Sequence, residues 1–460
     1  MSSQAKIPAP PAASDGDSMQ AVIARDRPPA PPAILRETSF VDLGSEDLPA
    51  ERWLSREFHE REKARLWPRV WQMACHLQQI PNVGDHEIYE INDRSLIVVR
   101  TAPDRIKAFY NACLHRGTQL RDEAGCVKAF TCPYHGWTWS LEGALQHIPA
   151  QWDFAHVDKA KSCLPEARVD TWGGFVWVNF DPAAPPLAEY LEDLPEHFAH
   201  WPLEDRWLAG HVVRVMPANW KVAMEAFIES YHVYPVHPEF WNNTGYWETQ
   251  VDLWPGRRHV SRMLTPLAVP GSLASRGWTQ QQLADSFSAL MEGTVSGRLE
   301  VPAGRTAREV YADDLRAAFA RSTGVDVSAS SDCEILDGLE YYLFPNFLPW
   351  GSYSLPIAYR FRPNGDDHES SLMEIYLIPP FPTGQPMPPA AKTRVLGPGE
   401  GFAAVPEMGM LGRILDQDYA NMVRVQRGMK ASKKRTVTLA NYQEARIRHY
   451  HRTLDEYLAG

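Results

Sequence analysis

No apolar run in the chain approaches the ~20 residues that a helix needs to cross a bilayer. Its first residues also lack a basic segment followed by an apolar one. A membrane-spanning protein and a secretory leader are therefore not expected, and the expected home is the cytoplasm. Cysteine is scarce, with 6 in 460 residues and no dense spacing, which excludes a disulfide-stapled scaffold and suits a reducing compartment. Lysine and arginine (46) fall short of aspartate and glutamate (57), and the net charge of −11 argues against general nucleic-acid binding. No internal repeat is visible, so a solenoid is not expected either.

Against these absences stand four residues: Cys113 and His115 in ACLHRG, then Cys132 and His135 in TCPYHGW. The order is C-x-H, a gap of sixteen residues, and C-x-x-H. Two thiolates and two imidazoles so arranged are what a Rieske [2Fe–2S] centre requires, with cysteines on one iron and histidines on the other. Zinc accepts the same ligand types, but the usual zinc finger keeps its cysteines together and its histidines together. Here each short loop carries one of each, and Gly117 and Gly136 follow closely, where tight turns need them. Of the other thiols, Cys126 falls between the loops and reads as a small buried residue.

The chain is long enough for two or three domains, more than a bare electron carrier needs. Residues 1–48 contain PAPPAASDGD and RPPAPPA and read as a Pro-rich flexible arm. Residues 49–170 read as an amphipathic helix (about 51–66) followed by a cluster-bearing domain of antiparallel strands, among them HEIYEI, SLIVVRTA and IKAFYNAC. Residues 171–460 read as a second domain, on which 49–75 could also pack. Within it, 265–335 reads as a helical cover over a pocket, and SLPIAYRFRP and SLMEIYLIPP form a hairpin around Asn364-Gly365. Two helices are expected near the end, at about 416–427, stopped by Gly428, and at about 442–458.

A second constellation lies in NWKVAMEAFIESYHVYPVHPEF, residues 219–240. Asn219 can cap a helix starting at Trp220. Glu225, Glu229 and His232 are spaced i, i+4, i+7, which stacks them on one helical face. His232 and His237 would diverge on an unbroken helix, but Pro235 and Pro238 end or bend it and let the second imidazole swing back. Two histidines and one carboxylate make a non-haem Fe(II) site with open positions. The carboxylate candidates are Asp418 and Asp416 in RILDQDYANMVRVQRGMK, and spacing alone leaves the choice between them open.

The cluster motif, NWK…E-x-F-x-E-x-Y-H-x-x-x-x-H and D-Q-D-x-x-x-M-x-x-x-Q-R-G stand in the order in which they occur in one family. Over residues 50–458 the chain resembles the large (alpha) subunit of Rieske non-haem iron oxygenases, the aromatic ring-hydroxylating dioxygenases. The resemblance implies an α+β fold, with an antiparallel Rieske [2Fe–2S] domain and a helix-grip (START-like) catalytic domain built on an antiparallel sheet. It implies that Cys113, His115, Cys132 and His135 hold the cluster, and that His232, His237 and Asp418, in preference to Asp416, hold a mononuclear Fe(II). It implies that Glu229 bridges an iron histidine to a cluster histidine of the next subunit in a trimer. Glu229 stands where many members have aspartate, and Ala226 where some have asparagine.

The activity so implied is O2-dependent hydroxylation, cis-dihydroxylation first, of an apolar aromatic or polycyclic substrate. Electrons would come from NAD(P)H through a reductase or ferredoxin, with or without a beta subunit beside the alpha trimer. The alternative is a homotrimeric monooxygenase or an O- or N-demethylase. Phe227, Tyr231, Val236, Phe240 and the stretch from Phe344 to Leu348 are the candidate pocket walls.

Overall fold

A computed structural model describes residues 16–271, 274–290, 297–353, 355–382 and 384–459. The chain divides into two compact units: Glu60–Tyr190 with Pro363–Asp367, and a larger one made of the chain up to His59, Leu191–Arg362 and His368–Ala459. No helix among the described residues is long and apolar enough to cross a membrane.

The smaller unit holds a seven-stranded antiparallel sheet in the order Gln72–His76, Phe175–Asn179, Glu166–Trp172, Arg105–Tyr110, Arg94–Ala102, Asp85–Ile91, Gly125–Cys126. The three strands expected before Cys113 are all present, and Asn92, with φ +53°, makes the tight turn between the first two. A second sheet, Ala129–Thr131, Thr138–Ser140 and Leu145–His147, follows. Ile97, Val99, Phe109, Phe130, Trp137 and Trp139 form the core in which Cys113 and Cys132 sit. Because Phe175–Asn179 pairs with both Glu166–Trp172 and Gln72–His76, this unit runs to Tyr190, past the boundary of 170 drawn from sequence.

The larger unit is built on an eight-stranded sheet in the order Gln250–Asp252, Val260–Thr265, Gly338–Leu343, Phe347–Pro349, Ile357–Asn364, Asp367–Leu377, Gly210–Met216, Thr393–Val395. It is antiparallel save for its last pair, where Gly210–Met216 and Thr393–Val395 run parallel. The hairpin expected at Asn364-Gly365 joins Ile357–Asn364 to Asp367–Leu377, and Gly365 supplies φ +58°. The 265–335 segment contributes the helices Gln280–Leu290 and Ala307–Thr323, packed through Leu283, Phe287, Tyr311 and Leu336, with Phe240 and Met410 against them.

Three local expectations are corrected. Residues 1–15 lie outside the described residues, but 16–48 is a packed segment where a flexible arm was expected. Met19, Val22, Ile23 and Leu35 are buried, Asp26 pairs with Arg308 at 2.7 Å and Asp252 accepts the Ser39 N–H at 2.9 Å. Scattered apolar residues and single charges anchor it, and neither shows as periodicity. The helix expected over 51–66 is two, Glu51–Leu54 and Arg56–Arg65, parted by Ser55 in an extended conformation. The long helix Gly409–Ala431 passes through Gly428 without stopping. One glycine costs about 1 kcal/mol in a helix, which tertiary packing overrides.

Candidate functional site

The two cluster loops are copies of one turn. Cys113 N–H donates to the Thr118 carbonyl at 2.8 Å, and Cys132 N–H to that of Trp137 at 2.8 Å. Gly117 N–H closes the first loop on the Cys113 carbonyl at 2.9 Å, and Gly136 N–H the second on that of Cys132 at 3.0 Å. Both glycines sit at positive φ, +76° and +74°, where a side chain would be strained. The thiols are buried and the His115 and His135 rings lie 4.7 Å apart, so two sulfurs and two imidazoles converge. His115 stacks on Trp137 at 5.1 Å, and its Nδ1 is buried with no hydrogen-bond partner among the described residues. A buried, unpartnered imidazole nitrogen suits a metal ligand. Burial raises the Cys132 thiol, but the N–H groups of Tyr134 and His135 outweigh it and hold it below its ordinary value. The donor set and these N–H groups fit a [2Fe–2S] cluster. Cys126 is exposed on the strand beside Asp85, contrary to the expectation of a buried thiol.

In the larger unit, Asn219 caps the helix Trp220–Glu225 as expected, accepting the Lys221 N–H at 3.0 Å. The helix then ends, so Glu225, Glu229 and His232 do not share a helical face. Glu225 turns away, accepting Trp53 Nε1–H at 2.9 Å and lying 2.9 Å from His451 Nε2, and burial pushes its carboxyl up to about 8. His232 and His237 flank a single helical turn, Val233–Val236. Pro235 lies inside this turn, where its missing N–H costs nothing, and Pro238 follows its end.

This turn aims the two imidazoles, whose centroids are 5.4 Å apart, at one carboxylate. His232 Nε2 and His237 Nε2 lie 3.5 and 3.0 Å from Asp418 Oδ1, and one donor atom from each residue falls within 4.8 Å of the others. Asp418 shares the buried face of Gly409–Ala431 with Leu415, Met422 and Gln426. Asp416, two residues earlier, points roughly 200° round the axis. It pairs with Arg214 at 2.5 Å and accepts the N–H groups of Phe402 and Ala403. The helix comes close enough there that a side chain on Gly412 would strike the Phe402 carbonyl, its Cβ only 2.6 Å away.

The far nitrogens of the imidazoles are also engaged. Glu229 Oε1 is 2.7 Å from His232 Nδ1, and its Oε2 accepts the His232 N–H at 3.0 Å. Gln417 Oε1 is 2.7 Å from His237 Nδ1, and Gln417 Nε2–H donates to Glu239 at 3.0 Å. Both acceptors hold a proton on Nδ1, so a metal ion could bind at Nε2 of either ring, in place of any proton there. Burial lowers the His232 imidazolium, yet Glu229 and Asp418 overcome it and raise it well above the usual range. The two carboxylates that favour the imidazolium would also favour a divalent cation. Donors and field thus fit a ferrous ion of the two-histidine, one-carboxylate kind.

Sequence reasoning overlooked Gln417 and Glu239, the first hidden between the two aspartates under comparison. Of the expected walls, Phe227 is buried against Tyr359 and Phe361, and Phe240 lies 6.0 Å from the His237 ring. Val236 is half-buried, whereas Tyr231 is 53% exposed. Phe344 is core, stacked on Tyr457 at 5.4 Å, and Phe347 and Leu348 are buried in the sheet.

Residues 191–460 match the family model of the ring hydroxylating alpha subunit (catalytic domain), and residues 70–160 match that of the Rieske [2Fe–2S] domain. The oxygenase subunit of carnitine monooxygenase from Escherichia coli K12 is 33% identical over 219 residues, 45% of this chain and 57% of that protein. The large oxygenase component of the naphthalene 1,2-dioxygenase system of Pseudomonas putida is 36% identical over 190 residues, 38% of this chain and 41% of that protein. The chain thus matches only about half the length of these relatives. Among solved structures, a quaternary ammonium Rieske monooxygenase with L-carnitine superposes with a TM-score of 0.61 at 18% identity, covering 90% of this chain and 96% of the other. Naphthalene 1,2-dioxygenase with indole in its active site does so with 0.62 at 20%, covering 91% and 93%. The catalytic-domain match alone takes in more than half of the residues, so the chain belongs to the ring-hydroxylating oxygenase alpha-subunit family and carries a Rieske [2Fe–2S] domain ahead of its catalytic domain.

Proposed function

We propose that this protein is the terminal oxygenase of a multicomponent system, hydroxylating an apolar or aromatic substrate with O2 and electrons drawn from NAD(P)H through a reductase or ferredoxin. The observation that carries the reading is the convergence of His232 Nε2, His237 Nε2 and Asp418 within 4.8 Å, in a chain that also bears the paired Cys-His loops. Cys113, Cys132, His115 and His135 would hold the cluster, and His232, His237 and Asp418 the iron. When bound, these groups supply one-electron transfer and O2 activation.

The surrounding residues prepare that chemistry. Glu229 fixes the proton at His232 Nδ1 and Gln417 fixes it at His237 Nδ1, so neither ring can turn its basic nitrogen away. Asp418 brings negative charge that offsets part of the ferrous charge. Phe227, Tyr359 and Phe361 give an aromatic wall suited to an apolar substrate. We also propose that the working form is a trimer, with or without a beta subunit, in which Glu229 joins His232 to a cluster histidine of the next subunit. The exposed loop tips favour docking, since His135 is exposed and Leu114 and Tyr134 beside it are 42% and 57% exposed. Cytoplasmic work fits the sparse cysteines and the electron donor.

Mono-oxygenation or demethylation is a second reading, favoured by the likeness to the carnitine monooxygenase subunit. Labelled O2 separates the two: two labelled atoms in a diol support dioxygenation, and one supports mono-oxygenation. An iron and acid-labile sulfide count tests the architecture, with about three irons and about two sulfides per chain expected. A preparation with a full cluster and no further iron under reducing, iron-replete conditions would overturn the oxygenase reading.

A further inference from the structure

Four buried arginines in the larger unit are met by carboxylates. Arg262 pairs with Asp252 at 2.7 Å, Arg308 with Asp26 and Asp337 at 2.7 Å, Arg360 with Glu374 at 2.5 Å and Arg446 with Glu340 at 3.0 Å. Arg448 donates instead to the backbone carbonyls of Ala440, Glu46 and Leu439, whereas Arg206 has neither a carboxylate nor a full set of acceptors. Arg206 is 2% exposed, and no carboxylate among the described residues lies within ion-pair distance of it. Its Nη2 donates to the Ser352 carbonyl at 3.1 Å, and its Nη1 is buried without a partner. Burial pulls the guanidinium down to about 10, which still leaves it charged at neutral pH. An unpaired buried cation is strongly unfavourable, and the other buried arginines named here are each held by a carboxylate or by three backbone carbonyls, as Arg206 is not.

Arg206 lines a cavity of about 310 Å³. Trp201, Val325, Tyr353, Phe381 and Pro382 give the cavity an aromatic and aliphatic lining, and none of the lining residues belongs to the iron site. The backbone holds its two sides together: Phe381 N–H donates to the Asp205 carbonyl at 2.9 Å, and Trp207 N–H to that of Pro379 at 3.0 Å. Asp205 and Asp326, both exposed, bring negative charge to the same cavity. One guanidinium answers one negative charge, and the two aspartates disfavour a dianion such as phosphate.

We propose that this cavity is an accessory binding site for a small monocarboxylate on an apolar or aromatic body, its carboxylate accepting a hydrogen bond from the Arg206 guanidinium and its body resting on Trp201, Tyr353 and Phe381. The inference is independent of the oxygenase reading, since it involves no residue of either metal site.

The test is calorimetric titration of the holoenzyme and of metal-stripped protein with benzoate, with acetate, chloride and phosphate as comparison arms. Benzoate is expected to bind saturably at one site per chain in both preparations, with acetate weaker because it leaves the aromatic walls uncovered. Arg206→Met keeps the length of the side chain and removes the charge. It is expected to weaken benzoate at least about tenfold, the usual worth of a charge-assisted hydrogen bond, without changing iron content. Val325→Phe leaves the guanidinium in place and fills the cavity, and the same loss is expected from it, which decides the matter should Arg206→Met not fold. Unchanged benzoate affinity in both variants overturns the proposal. So does chloride binding as tightly as benzoate, which marks an adventitious ion only, and so does phosphate binding more tightly than either.

Discussion

Replacing Gln417 by leucine removes the acceptor for His237 Nδ1–H while roughly conserving volume. The ring is 2% exposed, and its Nδ1 contact to Gln417 is 2.7 Å long. The orphaned N–H costs about 1–3 kcal/mol, and the imidazole also loses the partner that fixes its proton on Nδ1. Since about 1.4 kcal/mol is a decade in affinity, Fe(II) is expected to bind roughly 10- to 100-fold more weakly, the range typical of residues that orient metal-bound histidines. Glu239 adds to the effect, because it polarises the Gln417 amide through Nε2 at 3.0 Å. The assay is a chelator-competition titration of Fe(II) into protein stripped of mononuclear iron, with the visible spectrum of the Rieske cluster as internal control for folding. Affinity within twofold of the parent, with an intact cluster spectrum, refutes the assignment of Gln417 as a positioning residue.

Further outcomes are expected from the same geometry. Asp418→Ala lowers iron occupancy and spares the cluster spectrum, whereas Asp416→Ala keeps its iron and loses about 1–2 kcal/mol of stability with the Arg214 pair and two backbone bonds; metal analysis with urea melts reads both, and equal iron losses would void the distinction. Glu229→Gln leaves both metal sites filled and slows turnover on the order of 10- to 100-fold, measured as substrate-dependent O2 uptake beside an iron count; undiminished turnover removes Glu229 from the relay. Glu225 has a folded-state value raised from 4.5 to about 8 by burial, so the stability tied to it is full below about 4.5 and is lost as pH rises through about 8. Glu225→Gln copies the protonated acid, and between pH 5 and 8 it should gain on the parent by on the order of a few kcal/mol, read from paired urea melts; parallel curves would mean that Glu225 ionises normally.

How much was legible beforehand differs between the two metal sites, and the reason is distance along the chain. The Cys113–His135 loops are short and close on themselves through local hydrogen bonds, so their spacing alone implied a cluster. The alternating strands before Cys113 and the hairpin at Asn364-Gly365 were equally local, since alternation and turn residues act over a few positions. His232 and His237 were also readable as a pair, being five residues apart around two prolines.

What only the tertiary structure decided concerns partners about 180 residues away. Asp418 and Asp416 look alike as sequence. The burial of one face of Gly409–Ala431 turns the first toward the histidines and leaves the second to Arg214. That same packing brings Gln417 to His237, and the end of the helix at Glu225 sends its carboxylate to Trp53 and His451 instead of toward the iron site. Helical periodicity states which residues share a face, but what that face meets depends on burial summed over the whole fold, to which each residue contributes only a little.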